Sequence, residues 1–293
     1  MGGSQQSWDL VDGDAITSEL TAVRKLGGGA AYEAWLAFDE VTYSPVVVKL
    51  LRPDQVQDES SQRGLRREVA ALAAVNHPVV VRGLRHDFDG PRPHVVLEHI
   101  DGPRLSTLIR RYGRLQEQQY LPLAIDVASS LHYLRHIGWT HLDIKPSNII
   151  MGSPARLIDL SVARPVEDAH RLRHPIGTDA YMAPEQCDPG TGPPSYASDV
   201  WGLGVSLFQA VAGYRAFADP QPRAEKLSER FPQLCAEPRA LPGDVPDDVA
   251  RVIRATLQHV SEKRPAPSEI VDALSPVLER QPRGSLAGFK IRG

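Results

Sequence analysis

From Leu20 to Leu51 the apolar residues come in short runs broken by glycines and polar turns: Val23 to Leu26, Ala34 to Phe38, and Val46 to Leu51. Runs of this length with turn residues between them predict the strands of a meander. After Arg52-Pro53-Asp54 the period changes. Leu65, Glu68, Val69 and Leu72 stand at i, i+3, i+4 and i+7, which predicts a helix over 61–75 that stops before Asn76-His77-Pro78. Two more strands are predicted around Val79–Leu84 and His94–Ile100, and Asp101-Gly102-Pro103 then breaks the chain. Beyond that point the pattern turns helical. Helices are predicted at Leu105–Tyr112 and at Glu117–Ile137, with Leu121, Ile125, Ala128, Leu131 and Leu134 on one side. Further helices are predicted at Ser198–Ala212, Pro222–Phe231, Asp247–His259 and Pro267–Leu278. The pattern divides the chain into an arm (1–19), a small strand-rich lobe (20–100), a larger helical lobe (101–278) and a tail (279–293). The arm carries little signal beyond a capping turn at Thr17-Ser18-Glu19-Leu20 and is expected to be loosely held.

Composition narrows the class. With 293 residues, 42% of them hydrophobic, the chain can bury one large or two modest cores. A net charge of -3 and the lack of a long basic run argue against nucleic acid as the main partner. Cys187 and Cys235 show no CxxC spacing, so neither a disulfide framework nor a zinc site is indicated, and a reducing cytoplasm fits. Met1 to Asp14 lacks the charged-then-apolar order of a secretion signal. Val200 to Gly213 is interrupted by Gly202, Gly204, Ser206 and Gln209 and is too short to cross a bilayer, so no membrane span is expected.

Candidate chemistry concentrates in His141-Leu142-Asp143-Ile144-Lys145-Pro146-Ser147-Asn148, a polar loop between apolar segments. Asp143 suits proton acceptance from a hydroxyl, Lys145 suits neutralising a transferring anion, and Asn148 offers an oxygen to a metal. A predicted hairpin, Ile149-Ile150-Met151 through Gly152-Ser153-Pro154 to Ala155-Arg156-Leu157-Ile158, returns Asp159 to the neighbourhood of Asn148. One carboxylate and one amide oxygen suit Mg²⁺ brought in with a nucleotide. Upstream, Lys49 ends an apolar run and Glu68 interrupts an apolar helix stripe. Two opposite charges on inward faces predict an ion pair, leaving Lys49 to hold a phosphate. Leu26-Gly27-Gly28-Gly29-Ala30 lies at a strand turn where backbone amides suit a phosphate, although three glycines also make an ordinary tight turn.

In this order the parts resemble a eukaryotic-type (Hanks-type) Ser/Thr protein kinase of the bacterial, actinobacterial branch, over about Leu20 to Leu278. The resemblance implies an α+β, two-lobed protein-kinase fold: a small lobe of antiparallel sheet plus one helix, and a larger mainly helical lobe. It implies that ATP with Mg²⁺, or Mn²⁺, binds between the lobes, and that the partner is a protein substrate carrying Ser or Thr. Leu26, Gly27, Gly28, Gly29 and Ala34 would form the phosphate-covering loop, with Val48 and Lys49 on the following strand. Leu97 would gate the back of the adenine pocket, and Glu98 to Ile100 would be the hinge whose backbone bonds the base. Lys49 and Glu68 match the family's strand-helix ion pair, Asp143 its catalytic base, Lys145 its phosphate-neutralising lysine, and Asn148 and Asp159 its metal ligands. Gly177 to Glu185 resembles the end of the activation segment, Asp199 to Gly204 the buried central helix whose aspartate braces the catalytic loop, and Arg264 the partner of Glu185. Lys145 and Thr178 resemble the Ser/Thr rather than the Tyr group.

Several positions depart from the family pattern. Tyr32 replaces the third glycine of the phosphate loop and Ala34 the usual valine, which predicts weaker nucleotide binding. Leu142 replaces the arginine that would receive a phosphorylated activation segment, and residues 162–176 contain no Ser, Thr or Tyr, so phosphorylation within that segment is not expected to switch the protein on. Asp159-Leu160-Ser161 stands for Asp-Phe-Gly. Arg164, His170, Arg171, Arg173 and His174 read as a solvated basic run, or as a surface for an acidic partner. The alternative to an active enzyme is a pseudokinase that binds nucleotide or a partner without turnover. A small-molecule phosphotransferase is disfavoured by Gly177–Glu185 and Arg264.

Overall fold

The computed structural model describes residues 6–281. The expected tail from 279 onward falls mostly outside them, as do the first five residues of the arm. The small lobe is one antiparallel sheet in the order β1-β2-β3-β5-β4, built from β1 (Leu20–Gly28), β2 (Tyr32–Asp39), β3 (Ser44–Leu51), β4 (Gly83–Asp87) and β5 (His94–Glu98). Strand alternation gives it two different faces. On β2, Glu33, Trp35, Ala37 and Asp39 are buried on one side, while Tyr32, Ala34, Leu36 and Phe38 are half-buried on the other.

The outer face explains why the arm is not loose. Leu10 and Ile16 pack into a cluster with Leu20, Trp35, Val46, Val48 and Val96, and Trp8 donates its indole N–H to the Leu51 carbonyl at 2.7 Å. The apolar residues of a polar-looking arm are what hold it. On the inner side lies α1 (Glu59–Ala74), whose N-terminus is capped by Asp58 accepting the Ser61 N–H at 2.7 Å. It buries Leu65, Glu68, Ala71 and Leu72.

Two predicted elements differ. Val79, Val80 and Val81 are buried but belong to no strand of the sheet; they run along the large lobe, with Leu157 N–H bonded to Val79 O at 2.6 Å and Val81 N–H to Leu157 O at 2.9 Å. An apolar run reports burial without naming the partner, and the strand itself starts later, at Gly83. The helix expected over Pro222–Phe231 is reduced to Leu227–Arg230, because the residues before it are largely exposed and have no core to pack on.

The large lobe contains α2 (Leu105–Tyr112), α3 (Glu117–His136), β6 (Trp139–Thr140), the hairpin β7 (Ile149–Ile150) and β8 (Arg156–Leu157), and β9 (Arg164–Pro165) paired with β6. After these come α4 (Val166–His170), α5 (Pro184–Cys187), α6 (Tyr196–Ala212), α7 (Leu227–Arg230), α8 (Asp247–Thr256) and α9 (Pro267–Glu279). Helix α3 packs on α6 and α9, and α6 is buried along nearly its whole length. Gly202 lets α6 approach the polar loop, since a Cβ there would stand 2.9 Å from the Ile144 carbonyl oxygen. At the junction of the lobes Glu98 pairs with Arg156 and accepts the Arg82 N–H at 2.8 Å. Among the described residues no helix is long and apolar enough to cross a membrane.

Candidate active site

The floor of the interlobe cleft starts from Asp199 on α6. Its buried carboxylate accepts the N–H of His141 at 2.8 Å and of Leu142 at 2.6 Å, so the start of the polar loop is tied to the core through its backbone. Burial pushes Asp199 up to about 7, against the pull of these two donors. The grip opposes strain: Leu142 has φ of 63°, which for a branched side chain costs about 1–3 kcal/mol. The Leu142 carbonyl is bonded by Gln186 Nε2 at 2.8 Å, and the same nitrogen reaches the Ile176 carbonyl at 2.9 Å. Leu142 therefore fills a buried place with an apolar side chain, while its backbone links the loop to residue 176 of the following segment.

Asp143 then presents its carboxylate. Oδ2 accepts from Lys145 Nζ at 2.6 Å and from Asn148 Nδ2 at 3.1 Å, and Oδ1 accepts the Thr178 hydroxyl at 2.8 Å. Lys145 also donates to Thr178 Oγ1 at 2.6 Å. The hairpin returns as expected: Ile149 pairs with Leu157, Ile150 with Arg156, and Ile158 N–H reaches Asn148 O at 2.8 Å, which brings Asp159 beside the loop. Asp159 has φ of 70°. Burial alone would raise its carboxyl, but Lys49 holds it well below the usual carboxylate range.

The roof is built on β3 and α1. Lys49 Nζ donates to Glu68 Oε1 at 2.6 Å, to Glu68 Oε2 at 2.8 Å and to Asp159 Oδ1 at 3.0 Å, so the two misplaced charges of the sequence do find each other and meet the hairpin as well. Burial works against the ammonium, but Asp159 and Glu68 together hold it above the ordinary lysine value. The glycine turn is closed by Gly29 N–H to Tyr32 O at 3.0 Å, and Arg52 Nε bonds Gly29 O at 2.8 Å.

Between roof and floor lies a cavity of about 590 Å³. Of the predicted nucleotide-binding residues, Leu26, Gly28, Gly29, Ala34, Lys49, Leu97, Glu98, Ile100, Asn148 and Asp159 line it. Gly27 does not; it turns the chain with φ of 146°. Val48 is a correction. Side chains alternate along β3, so Val48 points with Val46 into the outer cluster, and Val47, on the same face as Lys49, lines the cavity. Tyr32, expected in the phosphate loop, lines it too, as do Ile158 and Arg104, which were not expected there; counting by two from Lys49 finds Val47, whereas Arg104 carries no local signal. Arg164, read as part of a solvated basic run, is buried, with its Nε bonded to Val162 O at 3.0 Å.

The donor set fits a hard divalent cation accompanied by phosphates. Asn148 spends its side-chain nitrogen on Asp143 O at 3.0 Å and on Asp143 Oδ2, which leaves its amide oxygen as the free acceptor, and Asp159 supplies an ionised carboxylate. Among the described residues no cluster of three or more His, Cys, Asp or Glu is placed to hold a metal. Away from the cleft, Glu185 and Arg264 form a buried bidentate pair at 2.6 and 2.9 Å.

Comparison with known proteins agrees with this arrangement. The family model described as "Protein kinase domain" matches residues 20–274. The serine/threonine-protein kinase PkaB of Streptomyces coelicolor is 32% identical over 275 residues, covering 90% of this chain and 64% of that protein. The serine/threonine-protein kinase PknB of Mycolicibacterium smegmatis is 29% identical over 292 residues, covering 90% of this chain and 46% of that protein. The probable serine/threonine-protein kinase PkwA of Thermomonospora curvata is 31% identical over 256 residues, covering 86% of this chain. The chain spans only 33% of PkwA and 46% of PknB from M. smegmatis, so it matches part of longer relatives. With a family match over 20–274 and the cleft geometry above, the chain belongs to the protein kinase family.

Proposed function

We propose that the chain is an active protein kinase that transfers the γ-phosphate of ATP, bound with Mg²⁺ or Mn²⁺, to a Ser or Thr hydroxyl of a protein substrate, and that phosphorylation of residues 162–176 is not its switch. The observation that carries the reading is Lys49 bonded at once to Glu68 and Asp159, with the hairpin bringing Asp159 beside the Asp143-Lys145-Asn148 loop. The divalent ion, when bound with the nucleotide, neutralises phosphate charge. Asn148 and Asp159 would hold it, and Lys49 would orient the phosphates it faces. Asp143 accepts or orients the proton of the attacking hydroxyl, and Lys145 offsets charge on the transferring group. Thr178 now bonds Asp143 where such a hydroxyl would approach. The relatives' names support Ser/Thr specificity.

A transfer assay with ATP and generic protein substrates, run on wild type and Asp143→Asn, tests the reading. Asp143→Asn is expected to lose about 10²–10⁴-fold in rate. A tryptic map after autophosphorylation is expected to show no phosphate between 162 and 176, where the sequence offers no hydroxyl, and none on Ser161 or Thr178 that raises activity. Equal silence of both proteins, with MgATP still raising the melting temperature, would replace the enzyme by a nucleotide-binding module.

A further inference from the structure

Tyr32 stands where the family pattern has the third glycine of its phosphate loop, a departure expected to weaken nucleotide binding. Its side chain lies between the roof strand and helix α1. The backbone of Tyr32 is fixed by pairing with Leu51 across β2 and β3. Its hydroxyl donates to the Ser61 carbonyl in the first turn of α1 at 3.2 Å, and its ring lies 5.4 Å from Lys49 Nζ. Directly opposite is Gly64, in the middle of a helix otherwise rich in good helix formers. A Cβ at Gly64 would stand 2.9 Å from the Tyr32 hydroxyl, and no other atom outside the helix backbone lies within 4 Å of it. A glycine inside a helix weakens it, so this one has a reason to be there only if the phenol needs the space. Burial, with Glu68 adding to it, pushes the phenol up to about 12, which keeps the hydroxyl a donor at any working pH.

We infer that Tyr32 is a positioning residue: together with the gap at Gly64 it clamps α1 to β2, which pairs with the strand that carries Lys49, and so keeps the Lys49–Glu68 pair assembled without a phosphorylated activation segment. Glu68 is one turn beyond Gly64 on the same helix, so a first turn held at Ser61 fixes the height and rotation at which Glu68 meets Lys49. The inference deepens the kinase reading and rests on it for its functional meaning, but the clamp itself can be tested apart from activity.

The experiment is amide hydrogen exchange of residues 61–68 in nucleotide-free protein, read together with phosphotransfer, for Tyr32→Phe, Tyr32→Gly, Gly64→Ala and the double variant Tyr32→Gly/Gly64→Ala. Loss of the hydroxyl alone is expected to speed exchange by about fivefold and loss of the ring by about tenfold or more. Gly64→Ala should act with opposite signs in the two backgrounds. With Tyr32 present it crowds the hydroxyl, speeds exchange and lowers kcat about fivefold, with KM for MgATP within about twofold; with Tyr32→Gly it simply strengthens the helix and slows exchange. Unchanged exchange in Tyr32→Gly, or the same effect of Gly64→Ala in both backgrounds, overturns the clamp. If wild type transfers no phosphate, the sign reversal still establishes the clamp while the enzyme reading fails.

Discussion

In the large lobe Asp143 stands on a loop whose backbone is gripped from both sides: by Asp199 at His141 and Leu142, and by Gln186 at the Leu142 carbonyl. In the small lobe Lys49 is held at its tip, by Glu68 and Asp159, and Glu68 rides on a helix that meets the sheet through side chains alone: Leu65, Ala71 and Leu72 packed with Leu51, Val95 and Leu97, and the Tyr32 hydroxyl on the Ser61 carbonyl. The backbone of the floor is thus tied to buried acceptors, while the roof is assembled by side-chain contacts between a sheet and a helix. A buried backbone tie is expensive to leave unmade, whereas a contact at the end of a long side chain is exchanged at small cost. The difference teaches that damage to the floor should unfold the protein and damage to the roof should disable it while leaving it folded.

Two measurements can break that contrast, and a third measures what a charged pair of the small lobe contributes. The largest effect is expected from Arg264→Met, which leaves Glu185 buried without its cation and removes the guanidinium bonds to the carbonyls of Gln258 and Ala197. Stability by urea unfolding should fall by about 3–5 kcal/mol, and activity should be lost with the fold. A loss below about 1 kcal/mol would mean that the buried core behind the floor, where Glu185 stands next to the Gln186 that grips Leu142, is not over-determined. Next, Glu68→Gln should lower phosphotransfer by roughly tenfold to a hundredfold while unfolding free energy changes by less than about 1.5 kcal/mol, because the isosteric amide still fills the buried place and Asp159 still faces Lys49. Unfolding instead of inactivity would erase the distinction.

The smallest effect is expected from acid. Bidentate bonds from Arg85, at 2.7 and 2.6 Å, hold the buried Asp39 carboxyl well below its ordinary value. A carboxyl depressed in the folded state contributes stability that is complete above its unfolded pKa and is lost as pH falls through and below it. The urea midpoint should therefore decline from about pH 5 toward about pH 3, and Asp39→Asn should be less stable near neutrality but decline less on acidification. An unchanged acid profile in Asp39→Asn would assign the decline to other carboxylates.

Much of the floor was legible because its signals are local. The hairpin between Asn148 and Asp159 has a turn and two short apolar runs within a dozen residues, and its closure follows from strand pairing. Lys49 and Glu68 were legible as a pair because each is out of place in its own element. The rest was hidden for different reasons. Gln186 looks like any polar residue of a loop until the carbonyls of Leu142 and Ile176 come to either side of it. Tyr32 reads as a missing glycine, because its value lies in a contact with a helix whose rotation the sequence does not give. Val48 sits next to Lys49 in sequence but on the opposite face of its strand, so adjacency in the chain misleads where the two-residue period does not.

The packing of the arm has a consequence for the order in which the protein is made. Trp8, Leu10 and Ile16 leave the ribosome before the residues that cover them: that surface is completed by Leu51 and Val96, and Arg92 fastens the carbonyls of Ala15 and Ile16 at 2.6 and 3.0 Å. These apolar residues must wait exposed until the last strand of the small sheet has emerged behind them. Their burial closes the folding of that lobe and does not begin it.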